Sequence, residues 1–216
     1  CYESVCKHSN QKIILLNDQN LADYIRLPDY IEKKKDAGQI PMAGYADLMR
    51  FALLEHYGGT WIDSTVYLTE PLPDTILNSD FFAVRNSLLL IDNPVLYPAW
   101  FLHAKKGNKT IREVRNVAFS YWLKNEHVIE YLLPNLIITL VVKSNPEVEK
   151  AIPYMNSDYS EYLVKVLADD YSEEKWNWIK KLTGIHKLTY KLDADIKHGH
   201  NFYDYLITSS DEKNTK

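Results

Sequence analysis

DLMRFALLEHYGGTWIDSTV, residues 47–66, is the stretch on which the reading of this chain turns. From Ala43 to His56 apolar residues occupy nearly every helical face, with Gly44 the one breaker, which predicts a helix buried on most sides. Gly58-Gly59 ends it, since glycine takes left-handed backbone without a Cβ penalty. One glycine suffices for the cap, so the second points to a close backbone approach or a tight reversal into the strand that follows. Trp61 and Ile62 hold that strand in the core, and Asp63 emerges at its carboxyl end from a fixed base, where α/β sheets present ligand-binding groups. Asp47 and Arg50, three apart, share a helix face. Charges in so apolar a helix require partners: either they pair with each other, or both point to the crevice where Asp63 emerges.

Outward from this stretch, strands and helices alternate, the pattern of a compact α/β unit. IILLND (13–18) reads as a buried strand closed by a turn, and FFAVRN (81–86), AWFLHA (99–104) and IHKLTYKLD (185–193) as further strands. Ile111, Val114, Ala118, Tyr121 and Trp122 recur at helical spacing. Pro134 fits the first turn of a helix running to residue 142, and Pro146 and Pro153 bracket a short element. DYSEEKWNWIKKL (170–182) reads as a helix with Asp170 and Glu173 as its capping box. Its Trp176, Ile179 and Leu182 pack against the domain or, as the weaker alternative, touch a membrane surface. The expected organisation is one domain over 1–208 and a disordered polar tail over 209–216.

Composition excludes more than it identifies. A hydrophobic share of 46% over 216 residues supports a substantial core. A formal charge of -4 argues against a nucleic-acid-coating surface. Cys1 and Cys6 match neither a disulfide framework nor a zinc pattern, which favours a reducing cytoplasm. YLLPNLIITLVV (131–142) is far too short to span a membrane. The two histidines of HGH, His198 and His200, would bind a metal convincingly only with further ligands. A Walker loop and GxGxxG are absent. The opening on Cys1, within an amphipathic helical pattern, leads us to expect residues upstream.

Asp47-x-x-Arg50, seven residues, then Gly58-Gly59-x-Trp61-x-Asp63 resembles the donor-binding signature of GT-A glycosyltransferases. The nearest likeness is to the capsular polysaccharide synthesis proteins, related to glycosyltransferase family 32 and, more remotely, to the glucosyltransferase domains of large clostridial toxins. IILLND, AWFLHAKKGN, SYWLKN, MNSDY and IHKLTYK are similar to segments of that family in the expected order. Its opening strand, with an aromatic residue and a Gln, has no counterpart here.

The resemblance implies a Rossmann-like GT-A fold, a central mixed sheet flanked by helices, with a nucleotide-sugar site. In it Asp47 and Arg50 contact the donor sugar or its phosphates, and Tyr57, Gly58, Gly59, Trp61, Ile62 and Ser64 belong to the donor-binding set. Asp63 reaches the ribose and a divalent cation, Mn2+ or Mg2+, bridging the diphosphate. Thr65 and His186 join the metal side, and Lys187 and Lys191 offset phosphate charge. Glu130 and Asn135 occupy the region of the transferred sugar; the implied catalytic set is Asp63, Arg50, Asp47 and Glu130. A departing diphosphate does need its charge neutralised. Here the usual aspartate pair is Asp63-Ser64-Thr65, a hydroxyl replacing the second carboxylate, so a hard cation would lean on Asp63, waters and the diphosphate itself.

The implied activity is transfer of a sugar, with retention, from a UDP-sugar to a saccharide acceptor in capsular or other surface polysaccharide synthesis. The acceptor would be carried on a lipid at the cytoplasmic face of the membrane, reached by peripheral contact. Two rivals stay open: a non-catalytic nucleotide- or saccharide-binding module with a degenerate metal site, and a secreted effector that glycosylates proteins.

Overall fold

The structure, a computed structural model, describes residues 1–87, 93–192, 196 and 199–211. In chain order they form α1 (Tyr2–His8), α2 (Leu21–Tyr24), α3 (Asp29–Asp36), α4 (Met42–Tyr57), β1 (Gly59–Ile62), β2 (Val66–Leu68), α5 (Asp74–Leu77), β3 (Phe81–Ala83), β4 (Phe101–Ala104), α6 (Lys109–Lys124), α7 (Leu133–Lys143), α8 (Pro146–Ala151), α9 (Ser157–Ser160), α10 (Tyr162–Lys165), α11 (Glu173–Leu182), β5 (Ile185–Lys187) and α12 (Phe202–Asp211). Two compact units result. One comprises Ile14–Ile62 and Pro73–Met155, the other Cys1–Ile13, Asp63–Leu72 and the chain from Asn156 onward.

In the first unit α4 buries Tyr45, Leu48, Arg50, Phe51, Ala52, Leu53 and Leu54, as its nearly all-round apolar pattern requires. Helix α6 packs on it through Ile111, Val114, Ala118 and Trp122. Asn108 starts α6 by accepting from the backbone N–H groups of Thr110 and Ile111. Glu55 of α4 then holds Arg112 at 2.9 Å and Arg115 at 3.0 Å. Helix α7 has Pro134 in its first turn and buries Ile137, Ile138, Val141 and Val142. These helices cover a three-stranded sheet of order β1-β4-β3, with both pairings antiparallel.

The second unit is built on the antiparallel pair β2-β5. Helix α1 closes onto β2, where the Ser4 hydroxyl accepts from Leu68 N at 2.9 Å. Trp176 and Ile179 of α11 are buried in a cluster with Leu163, Leu167 and Phe202, which removes them from any membrane surface. Among the described residues no helix is long and apolar enough to cross a membrane.

Several expectations need correction. All five described strands pair antiparallel, in place of a central mixed sheet. The run 13–18 is not a strand: Ile14 and Leu15 are 43% and 55% exposed. Asn17 does make the expected turn, accepting from the backbone of Gln19 and Asn20 ahead of α2. Strand β5 stops at Lys187, well short of residue 193, which itself lies outside the described residues. The α11 cap is Ser172, whose hydroxyl accepts from Lys175 N, while Asp170 pairs its backbone with Asn201. Helix α12 continues through Asp211, into the stretch expected to be a disordered tail.

The doubled glycine divides its two tasks between its members. Gly58 caps α4 at φ 72°, ψ -168°, an extended conformation open to glycine rather than the left-handed helical one expected. A Cβ on Gly58 would lie 2.5 Å from Lys106 N and 3.1 Å from Ala104 O, whereas one on Gly59, at φ 99°, would meet nothing within 4 Å. The close approach therefore belongs to Gly58, and it sets β1 against β4 with Gly59 opposite Ala104. Gly59→Ala, strained in the backbone alone, is expected to cost about 1–2 kcal/mol in urea unfolding. Gly58→Ala adds a backbone collision to similar strain and should cost at least about 3 kcal/mol; equal losses would refute the close approach.

Candidate functional site

The charge that α4 buries is Arg50, 7% exposed. Its Nη1 donates to the Ala99 carbonyl at 2.6 Å and lies 3.1 Å from Asp47 Oδ1. The guanidinium stands over the Trp61 ring of β1, 5.0 Å from its centroid. Of the two alternatives left by the sequence, the structure adopts the one in which Asp47 and Arg50 pair. Ala99 N donates in turn to Asn135 Oδ1 at 2.7 Å, so α4 and α7 grip the Ala99 peptide groups from both sides. Asp47 also lines a cavity of about 50 Å³ with Phe51, Trp122, Tyr131 and Pro134, room for a few water molecules.

The second constellation follows β1 directly. Asp63 opens the turn into β2, its carbonyl accepting from Val66 N at 2.9 Å. Lys187, at the end of β5, donates to the Thr65 hydroxyl, and its ammonium lies 3.8 Å from Asp63 Oδ2. Leu188 N donates to Thr65 O at 2.8 Å, which fixes the backbone from which Lys187 reaches out. Asp63 and Lys187 each keep about a quarter of their side chains exposed. The Asp63-Ser64-Thr65 segment thus gathers a carboxylate, a hydroxyl and an ammonium at one accessible place, chemistry suited to a phosphate and a sugar hydroxyl.

His186 is not brought there. Successive side chains of a strand point to opposite faces, and His186 is fully buried, its Nε2 3.1 Å from the Thr69 hydroxyl. Burial pushes its pKa down to about 4. Lys191 is exposed, its ammonium 5.8 Å from the Tyr190 ring centroid. Ser64 is exposed and Ile62 half-buried. Tyr57 donates its hydroxyl to Tyr24 O. Glu130 is exposed and accepts from Leu132 N at 3.2 Å, a local turn contact outside the lining of the Asp47 cavity. Asn135 acts on Ala99. His200 is exposed, and His198 lies outside the described residues.

One group escaped the sequence reading. Glu161 carries a carboxyl whose pKa burial raises, with Lys165 lowering it, Asp158 raising it and Lys187 lowering it. It therefore feels the same ammonium as Asp63. Asp158 sits within the MNSDY segment, the one sequence signal nearby, but nothing in the spacing ties either residue to Lys187.

The residues as placed do not fit a divalent cation. Asp63 is one carboxylate, and Lys187 already faces both it and Thr65. A dication on Asp63 would have to displace or face the like charge of an ammonium that stands 3.8 Å from the carboxylate. Among the described residues no group of three or more His, Cys, Asp or Glu side chains is placed to hold a metal.

An α/β protein of small antiparallel sheets flanked by helices, with a carboxylate–hydroxyl–ammonium group delivered by the segment after β1, is the class that fold and site define. The family model for the capsular polysaccharide synthesis protein matches residues 1–206, and the chain belongs to that family, which assigns it to capsular polysaccharide synthesis. Comparison with curated proteins gives no match.

Two outcomes follow from this geometry. Arg50→Ala takes the cation from Asp47 and a donor from Ala99 O, and should lower the unfolding free energy by about 3–5 kcal/mol; a loss below about 1 kcal/mol would show that the pair does not hold the unit together. His186, neutral in the fold, takes up a proton more readily when unfolded. Stability is therefore full above about pH 6.5 and falls toward about pH 4, by an amount on the order of 3 kcal/mol. Urea unfolding from pH 7 to 4 should show a slope that His186→Gln flattens. An unchanged slope in the variant would remove His186 as its source.

Proposed function

We propose that this chain is a glycosyltransferase with a GT-A nucleotide-sugar fold, moving a sugar from a UDP-sugar to a saccharide acceptor as a capsule is built. The observation that carries the reading is the joining of Asp63, Thr65 and Lys187 within the segment that resembles a donor signature, in a chain of the capsular polysaccharide synthesis family. In this reading Lys187 meets the diphosphate and Asp63 accepts from a ribose hydroxyl. The bond from the anomeric carbon to the diphosphate oxygen breaks with its electron pair on the diphosphate. The acceptor hydroxyl forms the new bond on the same face, and its proton leaves with the diphosphate. What the protein must supply is position and charge stabilisation of the leaving group. Arg50 is here a positioning residue: it holds the Trp61 ring of β1 and the peptide at Ala99, and so fixes the strand from which Asp63 issues.

Purified protein with UDP-sugars should hydrolyse a donor slowly without acceptor and faster with capsular oligosaccharides. Asp63→Asn should weaken UDP binding roughly tenfold, the scale of a hydrogen bond to a charged group. It should leave the thermal midpoint nearly unchanged, because a partly exposed carboxylate adds little to packing. Binding without turnover toward any donor and acceptor would mark a non-catalytic module instead.

A further inference from the structure

We infer that the cation of this site is Lys187 itself, and that donor binding here needs no divalent metal; the inference rests on the nucleotide-sugar reading above. Metal-assisted departure of a diphosphate requires a dication held by protein oxygens beside the phosphates. The two oxygens assigned to the metal in this segment, the Asp63 carboxylate and the Thr65 hydroxyl, both already face the Lys187 ammonium. Its strand is paired to β2 with Lys187 opposite the fully buried Val66, and Leu188 N is bonded to Thr65 O, so the origin of the side chain is fixed.

The charges around Lys187 fit a resident counter-ion. Asp63 lies on one side, and Glu161, between α9 and α10, lies near enough that the ammonium lowers its carboxyl pKa against the rise that burial causes. The Asp63 carboxylate thus faces the ammonium before any ligand arrives. A lysine ammonium carries three donors, one of which goes to Thr65. On donor binding the ammonium would exchange a present contact for a phosphate oxygen, while Asp63 accepts from a ribose hydroxyl. Thr65, where the broader pattern has a second carboxylate, suits this arrangement: a hydroxyl accepts from the ammonium without adding negative charge against the phosphates.

The test is isothermal titration of UDP, and then of GDP, ADP and CDP, into the full chain, once in EDTA and once in Mn2+. The expected result is the same dissociation constant in both buffers. Lys187→Ala should lose roughly ten- to a hundredfold in EDTA, the worth of a charge-assisted hydrogen bond, and regain part of it in Mn2+ once Asp63 and Thr65 are released. Lys187→Arg should keep metal-free binding. Wild-type binding that appears only with Mn2+ overturns the inference and leaves the nucleotide-sugar reading standing; that arm needs no variant. Lys187→Ala that is folded by circular dichroism and binds as tightly as wild type in EDTA overturns it as well. Absence of binding for all four nucleotides in both buffers sinks the nucleotide-sugar reading, and the inference with it.

Discussion

The Arg50 guanidinium is the constraint around which the first unit is organised. A charge buried to this degree is tolerated only when partners surround it. Here the partners come from three places in the sequence: Asp47 one turn earlier on α4, the Ala99 carbonyl just ahead of β4, and the Trp61 ring on β1. Asn135 of α7 completes the grip on Ala99 from its N–H side. A local ion pair in one helix thereby becomes a tie between that helix, two strands and a second helix. The strand that precedes Asp63 can shift only if the guanidinium loses contacts it cannot replace from water.

Elements whose signal is local were legible in the sequence. Helix α4 is fixed by its apolar pattern and by the glycines after it, and α6 and α7 by helical spacing and by Pro134. What was not legible depends on partners distant in the chain. The run 13–18 has the composition of a buried strand, yet strands exist by pairing, and in the structure Ile14 and Leu15 stay largely exposed. The antiparallel sense of the sheets was hidden for the same reason. Strand β1 turns directly against β4, because Gly58 admits the backbone at Lys106 so closely, and no local pattern states which later segment will lie there.

The candidate site divides along the same line. Asp63 at the end of β1, and Asp47 and Arg50 on one helix face, could be read because each lies within a turn or two of the features that place it, although Trp61 and Ile62 are half-buried and not in the core as expected. The partnership of Lys187 with Asp63 and Thr65 could be suggested only through the family resemblance. Even then the resemblance brought His186 to the site as a metal ligand beside Lys187. Strand alternation separates the two: β5 turns the imidazole to the buried side, beside Thr69, and leaves the ammonium to reach the Asp63 segment. Glu161 had no signal at all, since it is brought near Lys187 only once α9 and α10, which flank it, pack on β5.

This placement bears on how a single carboxylate could serve the diphosphate site proposed above. Two carboxylates beside phosphates repel each other and the ligand, so such a pair is useful only with a dication to outweigh both. With Thr65 in the second position, a dication has lost half of its protein charge, and a monovalent cation of fixed origin becomes sufficient partner for Asp63. Lys187 meets that description, because the β2-β5 pairing and the Leu188–Thr65 bond hold its backbone beside Asp63 and Thr65. In that proposal Thr65 and Lys187 are two halves of one electrostatic arrangement: the hydroxyl adds no negative charge, and the ammonium supplies the positive one.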